Sequence, residues 1–485
     1  MNALKSLPLS IHFTGICGTA MGSLAILMKS RGHRVKGSDQ GVYPPMNGLL
    51  EKHRIEVQTG YDARHLFPDP DLVVIGNALS RGNPEVEAVL SRRLPYVSAA
   101  ELLREHFIEG RTSLVVSGTH GKTTVTSLLA WVFEQAGKDP GFMIGGIAEN
   151  FACSSRDGGG TYFITEGDEY DTAFFDKRSK FLHYRPDQLI INNLEFDHAD
   201  IFDSLEDVEK SFRLLLRLVP KEGRILANGD DPAVARVLET AFSPITRFGT
   251  DGGNDLRLCG TEAVEDGTRF EVSQEGWKSA DFFIPLHGRH NTYNVLGVLA
   301  AARLNGISDE ATRKAFESFR SVRRRMERRG EAGGILVYDD FAHHPTAVRE
   351  TIRAMRELHP ERRLLAVFEP RSNTSVLNIH HQQFLDGLSG ADRVLLSQPH
   401  RLDTIAEEHR LDIGTLASEL ERQGVPTQAL IDADAVLECL LENCRSGDVV
   451  LVMSNGNFGN LHERLLQALD SPNEHKAEIL QQTNP

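Results

Sequence analysis

Ser113-Leu114-Val115-Val116-Ser117-Gly118-Thr119-His120-Gly121-Lys122-Thr123-Thr124 is the stretch on which the reading of this chain turns. Residues 113–117 form an apolar, β-branched run of the kind that makes a buried strand. The glycine-containing turn after it opens an amphipathic segment predicted to be helical over 126–135. A strand, a glycine turn and a helix in that order make a phosphate loop. The glycines let backbone N–H groups approach phosphate, and the helix N-terminus favours its charge. Lys122 then reaches a terminal phosphate and Thr123 can ligate magnesium. Val116 stands where the general G-x-x-x-x-G-K-[ST] form has its first glycine, so this is a shortened version, unlike that of the small GTPases. A plain glycine turn with an exposed lysine would not require the other parts to fall in order. A nucleotide phosphate and Mg2+ are the expected ligands.

The same alternation recurs on either side. Residues 10–15 read as a strand leading through Gly15, Gly18 and Gly22 to a helix at 23–31. Residues 335–340 read as a strand before a helix at 346–358, with a further strand at 364–368. Repeated strand–helix alternation implies parallel sheets covered on both faces. At 485 residues the chain exceeds what one core supports. The expected fold is α/β in three domains. Residues 1–110 would form a Rossmann-like domain, 111–322 a central P-loop ATPase-like domain, and 323–485 a C-terminal Rossmann-like domain.

The net charge of −15 argues against nucleic acid as a partner, because the phosphate backbone would be repelled. Five scattered cysteines without a C-x-x-C pair fit a reducing compartment. No secretory signal and no apolar run of membrane-spanning length is visible. A cytoplasmic protein is expected, with no membrane association and no obligate protein partner.

Two further strand ends carry polar groups. Residues 161–164 lead into Thr165-Glu166-Gly167-Asp168-Glu169, and 189–192 lead into Asn193-Leu194-Glu195-Phe196-Asp197-His198. Polar groups delivered from two strand ends beside a phosphate loop would complete a magnesium site with Thr123. Asp168, Glu169 and Asp171 are read as a solvated acidic turn.

Gly118-Thr119-His120-Gly121-Lys122-Thr123-Thr124 resembles the signature of the Mur ligases, which join amino acids or peptides to UDP-N-acetylmuramate, and the other motifs follow in that family's order. The resemblance makes the N-terminal domain a UDP-binding one, with Gly15, Cys17 and Gly18 at the pyrophosphate, Ser38 and Asp39 near uridine, and Ser80, Asn83, Pro84 and Glu85 as the wall. Taken alone, those glycines would suit a dehydrogenase equally well. By the same resemblance, Lys122, His198 and the interdomain Arg324 would do the chemistry, and Glu166 and His198 would bind the metal with Thr123. Arg324 lies in the run Arg323-Arg324-Arg325, with Arg325 as the other candidate. ATP would be held by residues 118–124, Asn193, His290, Asn291, Asn294, Arg325 and Asp340, the last from Asp339-Asp340-Phe341-Ala342-His343-His344-Pro345. His344 would orient that loop. Asn291 could equally cap a helix. Lys210 falls about a turn early for the carbamylated lysine of several members, so no carbamate is assigned.

The amine substrate is expected to be the wall tripeptide L-alanyl-γ-D-glutamyl-meso-diaminopimelate. The stretch 174–185 is basic, and Arg178 and Lys180 could pair with the tripeptide carboxylates. Arg371, Ser454 and Asn455 would face the same amine from the third domain. Tyr43-Pro44-Pro45-Met46, Phe175-Asp176-Lys177-Arg178-Ser179-Lys180 and Glu369-Pro370-Arg371-Ser372-Asn373-Thr374 resemble the branch of the family that reattaches recycled tripeptide to UDP-N-acetylmuramate. Three alternatives remain open: the sister ligase for L-alanine, a folylpolyglutamate synthetase, and a nucleotide switch that needs no acceptor.

Overall fold

The computed structural model describes residues 8–42, 46–277, 279–399 and 405–470. Tyr43, Pro44 and Pro45 of the quoted motif lie outside the described residues. Three large sheets organise the described residues, beside a two-stranded hairpin of Asp171–Ala173 and Asp176–Ser179. The first has five parallel strands in the order Glu56–Thr59, Arg34–Asp39, Ser10–Thr14, Leu72–Ile75, Tyr96–Ser98. It is a Rossmann-like arrangement, and its order reverses at Ser10–Thr14, so the loop after that strand opens at the switch point.

The second sheet has ten strands. Thr112–Ser117 lies at its middle, parallel to Gln188–Ile191 on one side and Tyr162–Gly167 on the other. Leu114, Val115 and Val116 are buried, as an apolar run in a covered parallel sheet must be. That register sets Glu166 beside Val116, and the chain leaving Gln188–Ile191 beside Gly118. Leu256–Val264, Gly267–Gln274 and Ala280–Ile284 extend the sheet as an antiparallel meander beyond Ile245–Gly249.

The third sheet has six strands, all parallel except the edge strand Glu327–Ala332. Val449–Met453, wholly buried, runs between Ile335–Asp340 and Leu364–Phe368. The loops after these three strands therefore emerge side by side, although they lie far apart in the chain.

The helices begin earlier than the apolar periodicity predicts. The first runs Thr19–Ser30 with Gly18 as its N-cap, and the second runs Lys122–Gln135 from Gly121. The second opens on the polar Lys122-Thr123-Thr124 and the first on small residues around Met21, so hydrophobic spacing under-reports both. The helix Pro345–Leu358 starts with proline at its first position, where no N–H is needed, and His344 caps it.

The domains are joined by specific contacts. Arg31 and Arg111 both bind Asp157, and Phe175 packs edge-on against Tyr96 at 5.0 Å. On the other side, Asn373 Nδ2 donates to Asp200 at 2.8 Å and Thr374 Oγ1 accepts from Ala199 N at 3.1 Å. The third domain is thus docked on the central one. Among the described residues, no helix is long and apolar enough to cross a membrane.

Candidate active site

The phosphate loop is held open by backbone geometry and by a relay of amides. Gly121 has φ +84°, and a Cβ there would meet Asn294 Oδ1 at 2.3 Å. Gly118 has φ +128° and lies against the backbone of Asn193, so a side chain at either position would break the loop. Asn193 Oδ1 accepts from His120 N at 2.7 Å, and its carbonyl accepts from Thr119 N at 2.9 Å. Asn192 donates to Asn294, Asn294 donates to Asn291, and Asn291 donates to the carbonyl of His287. Asn193, Asn291 and Asn294 are therefore the scaffold of the loop, with side-chain groups spent on its shape.

Lys122 opens the helix and is fully engaged. It donates to Gly118 O at 2.7 Å and to both oxygens of Glu169 at 3.0 and 2.8 Å. Glu169 is only 2% exposed and also accepts from His198 Nε2 at 3.0 Å. Of the acidic turn expected to be solvated, Glu169 is instead buried at the centre of a junction, while Asp168 and Asp171 stay part-exposed and pair with Lys180 and Lys177. Burial opposes the charge of Lys122, yet the surrounding carboxylates, Glu169 foremost, raise its pKa. His198 behaves likewise: burial would lower it, but the hydrogen bond and charge of Glu169 raise it. Asp168 keeps its charge against burial, drawn down to about 2 by Lys180, Lys122 and His198.

The expected metal trio is divided. Glu166 Oε2 accepts from Thr123 Oγ1 at 3.2 Å, and its other oxygen accepts from Gly145 N. Glu166 is half-buried and its pKa is raised, first by desolvation. His198 gathers instead with Asp168 and Glu169, their ligand atoms within 4.8 Å of one another. Both groups present mainly oxygen donors, the set that suits Mg2+. Thr123 with Glu166, and His198 with its two carboxylates, are the groups that could hold such an ion. Thr124 is buried in the first helical turn.

The third domain reaches this loop through Arg325, whose Nη2 lies 3.4 Å from Thr123 Oγ1. Arg324 turns the other way, with φ +60°. Its guanidinium donates to the carbonyls of Ser454 and Gly456 and lies 3.4 Å from Asp339. Of the two candidates, Arg325 faces the phosphate loop, and Arg324 clamps a loop of its own domain. Asp340, expected to face nucleotide, accepts from Met326 N at 2.7 Å and Ala342 N at 2.8 Å, which fastens the interdomain segment. His290 is different: its Nδ1 is buried with no hydrogen-bond partner among the described residues. Burial lowers its pKa to about 4, so it presents a neutral ring. An unpaired buried nitrogen beside a phosphate loop fits a nucleotide base.

The amine-side candidates fall into two places. Ser454 donates to Glu369 and accepts from Gly456 N at 2.9 Å, Arg371 lies 3.5 Å from Glu369, and Asn455 Oδ1 is buried without a partner among the described residues. Lys180 pairs with Asp168 at 3.2 Å at the edge of the Glu169 junction, whereas Arg178 is exposed and bound to Asp176 at 2.7 Å. Lys210 is likewise exposed and paired with Asp207 at 3.1 Å.

In the N-terminal domain Gly15 N donates to Ser38 O at 2.8 Å and Cys17 N to Asp39 Oδ2 at 2.8 Å. Gly18 precedes the helix, and Asn83 caps the helix Pro84–Arg92 while its N–H reaches Ser80 O at 3.3 Å. The side chain of Ser38 points inward to Glu85, which is wholly buried and also accepts from Thr14, His12 and His65 at 2.8 to 2.9 Å. Glu85 braces this loop from beneath; its place in the wall motif was legible, its burial was not.

Comparison with known proteins agrees with this geometry. Residues 10–110 match the Mur ligase family catalytic domain, 116–302 the Mur ligase middle domain, and 324–456 the Mur ligase glutamate ligase domain. The UDP-N-acetylmuramate–L-alanyl-γ-D-glutamyl-meso-2,6-diaminoheptandioate ligase of Escherichia coli (strain K12) is 45% identical, covering 95% of this chain and 98% of its own. A UDP-N-acetylmuramate–L-alanine ligase from Psychrobacter sp. (strain PRwf-1) is 30% identical over 94% of each. The crystal structure of a murein peptide ligase from Psychrobacter arcticus 273-4 superposes with a TM-score of 0.73 at 37% identity, covering 96% and 99% of the two chains. The chain belongs to the Mur ligase family of carbon–nitrogen bond-forming enzymes.

Proposed function

We propose that this enzyme joins L-alanyl-γ-D-glutamyl-meso-diaminopimelate to the lactyl carboxylate of UDP-N-acetylmuramate at the expense of ATP. The observation that carries the choice of amine is the whole-length similarity, 45% to a ligase named for that tripeptide against 30% to one named for L-alanine. The lactyl carboxylate attacks the γ-phosphorus of ATP, the bond to the bridging oxygen breaks, and ADP leaves. The tripeptide amine then attacks the acyl carbon of the resulting acyl phosphate, loses a proton, and expels phosphate.

Lys122 is placed to follow the transferring phosphoryl group once nucleotide competes with Glu169 for its ammonium. Thr123 and Glu166, with His198 opposite, would hold Mg2+, which neutralises phosphate charge when bound. Arg325 adds positive charge from the third domain, and the docked domain keeps water from the acyl phosphate. Arg371, Ser454 and Asn455 stand on the side from which the amine would arrive. Lys180 is better placed than the exposed Arg178 to meet a carboxylate near the reacting centre. The UDP end would rest on the loop 15–18 and Asp39. A reaction on these soluble substrates suits a cytoplasmic enzyme. The test is amine-dependent phosphate release: with ATP and UDP-N-acetylmuramate present, phosphate appears at a steady rate only when tripeptide is added. Equal release without any amine would instead support the nucleotide switch.

A further inference from the structure

Glu195 lies in the loop that leaves strand Gln188–Ile191, between the phosphate loop and the third domain. Its main chain is fixed to the phosphate loop: Glu195 N donates to Thr119 Oγ1 at 2.9 Å, and that hydroxyl donates to Glu195 O at 3.3 Å. Its side chain crosses the seam. Oε2 accepts from Thr346 Oγ1 at 2.6 Å, in the first turn of the third-domain helix Pro345–Leu358, and lies 3.4 Å from His120 Nε2 of the phosphate loop. A carboxylate at that place also meets the positive end of the helix dipole.

The neighbouring His344 ring lies 3.5 Å from the same oxygen, but it makes no ion pair. Its Nε2–H donates to the carbonyl of Phe196 at 3.2 Å and its Nδ1 accepts from Thr346 N at 3.3 Å, which fixes a neutral ring. Burial holds its pKa down to about 3, in keeping with that tautomer. The anion is therefore shared between one hydroxyl of the third domain and one histidine of the phosphate loop. Burial alone would raise the Glu195 carboxyl, but His120 and Thr346 bring it down to about 2, so the strut is charged at neutral pH.

We infer that Glu195 is a positioning residue that sets the closed third domain in register with the phosphate loop, through Thr346 on one side and Thr119 with His120 on the other. This rests on the ligase reading. It assigns Glu195 no contact with the reacting atoms. Its effect is on how often an acyl phosphate, once formed, meets the amine before water does.

The experiment measures phosphate released per ligated product, with tripeptide, UDP-N-acetylmuramate and ATP, for wild type, Glu195→Ala, Glu195→Gln and Thr346→Val. Wild type gives one phosphate per product. Glu195→Ala is expected to lose about 10- to 100-fold in ligation rate and to release several phosphates per product, as misplaced closure does. Thr346→Val, which removes the same contact from the opposite domain, shifts the ratio the same way. Glu195→Gln keeps an oxygen for Thr346 and recovers part of the coupling. A protein that is merely destabilised loses rate without changing the ratio. A ratio of one in both Glu195→Ala and Thr346→Val overturns the inference, whereas wild type making no product overturns the ligase reading instead.

Discussion

Replacing Glu169 by glutamine keeps the shape of a side chain at the centre of the site and removes its charge. Glu169 is 2% exposed and holds Lys122 through two contacts, at 2.8 and 3.0 Å, and His198 through a third at 3.0 Å. At 2.8 Å and an effective dielectric near 20, the Lys122–Glu169 attraction is on the order of 6 kcal/mol. Relief of carboxylate desolvation returns part of that, and breaking a buried pair by losing one partner costs about 3 to 5 kcal/mol net. Lys122 retains Gly118 O at 2.7 Å, so the loop keeps one anchor and the fold survives. Glu169→Gln is therefore expected to lower the stability of the central domain by about 3 kcal/mol. It is also expected to cut ligation at least about 100-fold, because Lys122 and His198 lose their common partner. Chemical denaturation followed by tryptophan fluorescence gives the first quantity, and ligation at saturating substrates gives the second. Wild-type stability together with ligation within about threefold of wild type would refute the reasoning and leave the Glu169 charge with no part in holding Lys122 and His198.

Other substitutions separate the remaining roles. Lys122→Ala is expected to abolish phosphoryl transfer while circular dichroism stays that of wild type; near-normal ligation would remove the phosphate-loop mechanism. Glu166→Gln and His198→Ala should each raise the magnesium concentration for half-maximal rate by about tenfold or more, in keeping with loss of one ligand or its support; superimposable titrations would make both residues structural. The Glu85 carboxyl is lowered from 4.5 to about 2, because hydrogen bonds and charge from His12 with those from Ser38 and His65 outweigh burial. A depressed carboxylate stabilises the fold above its unfolded pKa, and that contribution, about 3 kcal/mol here, is lost as pH falls from about 4.5 towards 2. Glu85→Gln should flatten the acid limb of stability in that window, and an unaltered acid limb would show that Glu85 is not the titrating brace.

Much of this was legible because it is local. The run 113–124 carries its strand, turn and helix in one stretch, and the register of Thr112–Ser117 with Tyr162–Gly167 then sets Glu166 beside it. The role of Glu169 was hidden because an acidic turn reads alike whether water or Lys122, 47 positions away, receives it. The roles of Arg324 and Arg325 were hidden for a similar reason. A left-handed turn at Arg324 sends it to the carbonyls of Ser454 and Gly456, and no spacing rule anticipates a positive φ in a non-glycine residue. Asn193 and Asn294 were visible as polar residues near nucleotide, but their amides hold the loop in shape, a use that only the fold discloses.

The central claim is the identity of the amine. The most direct test incubates the enzyme with ATP, Mg2+ and UDP-N-acetylmuramate, together with either L-alanyl-γ-D-glutamyl-meso-diaminopimelate or free L-alanine, and follows the nucleotide product by mass. The account predicts a UDP-muramyl tripeptide formed with one phosphate per product, and little product from L-alanine. Efficient formation of the L-alanine adduct, with no tripeptide adduct, would contradict it.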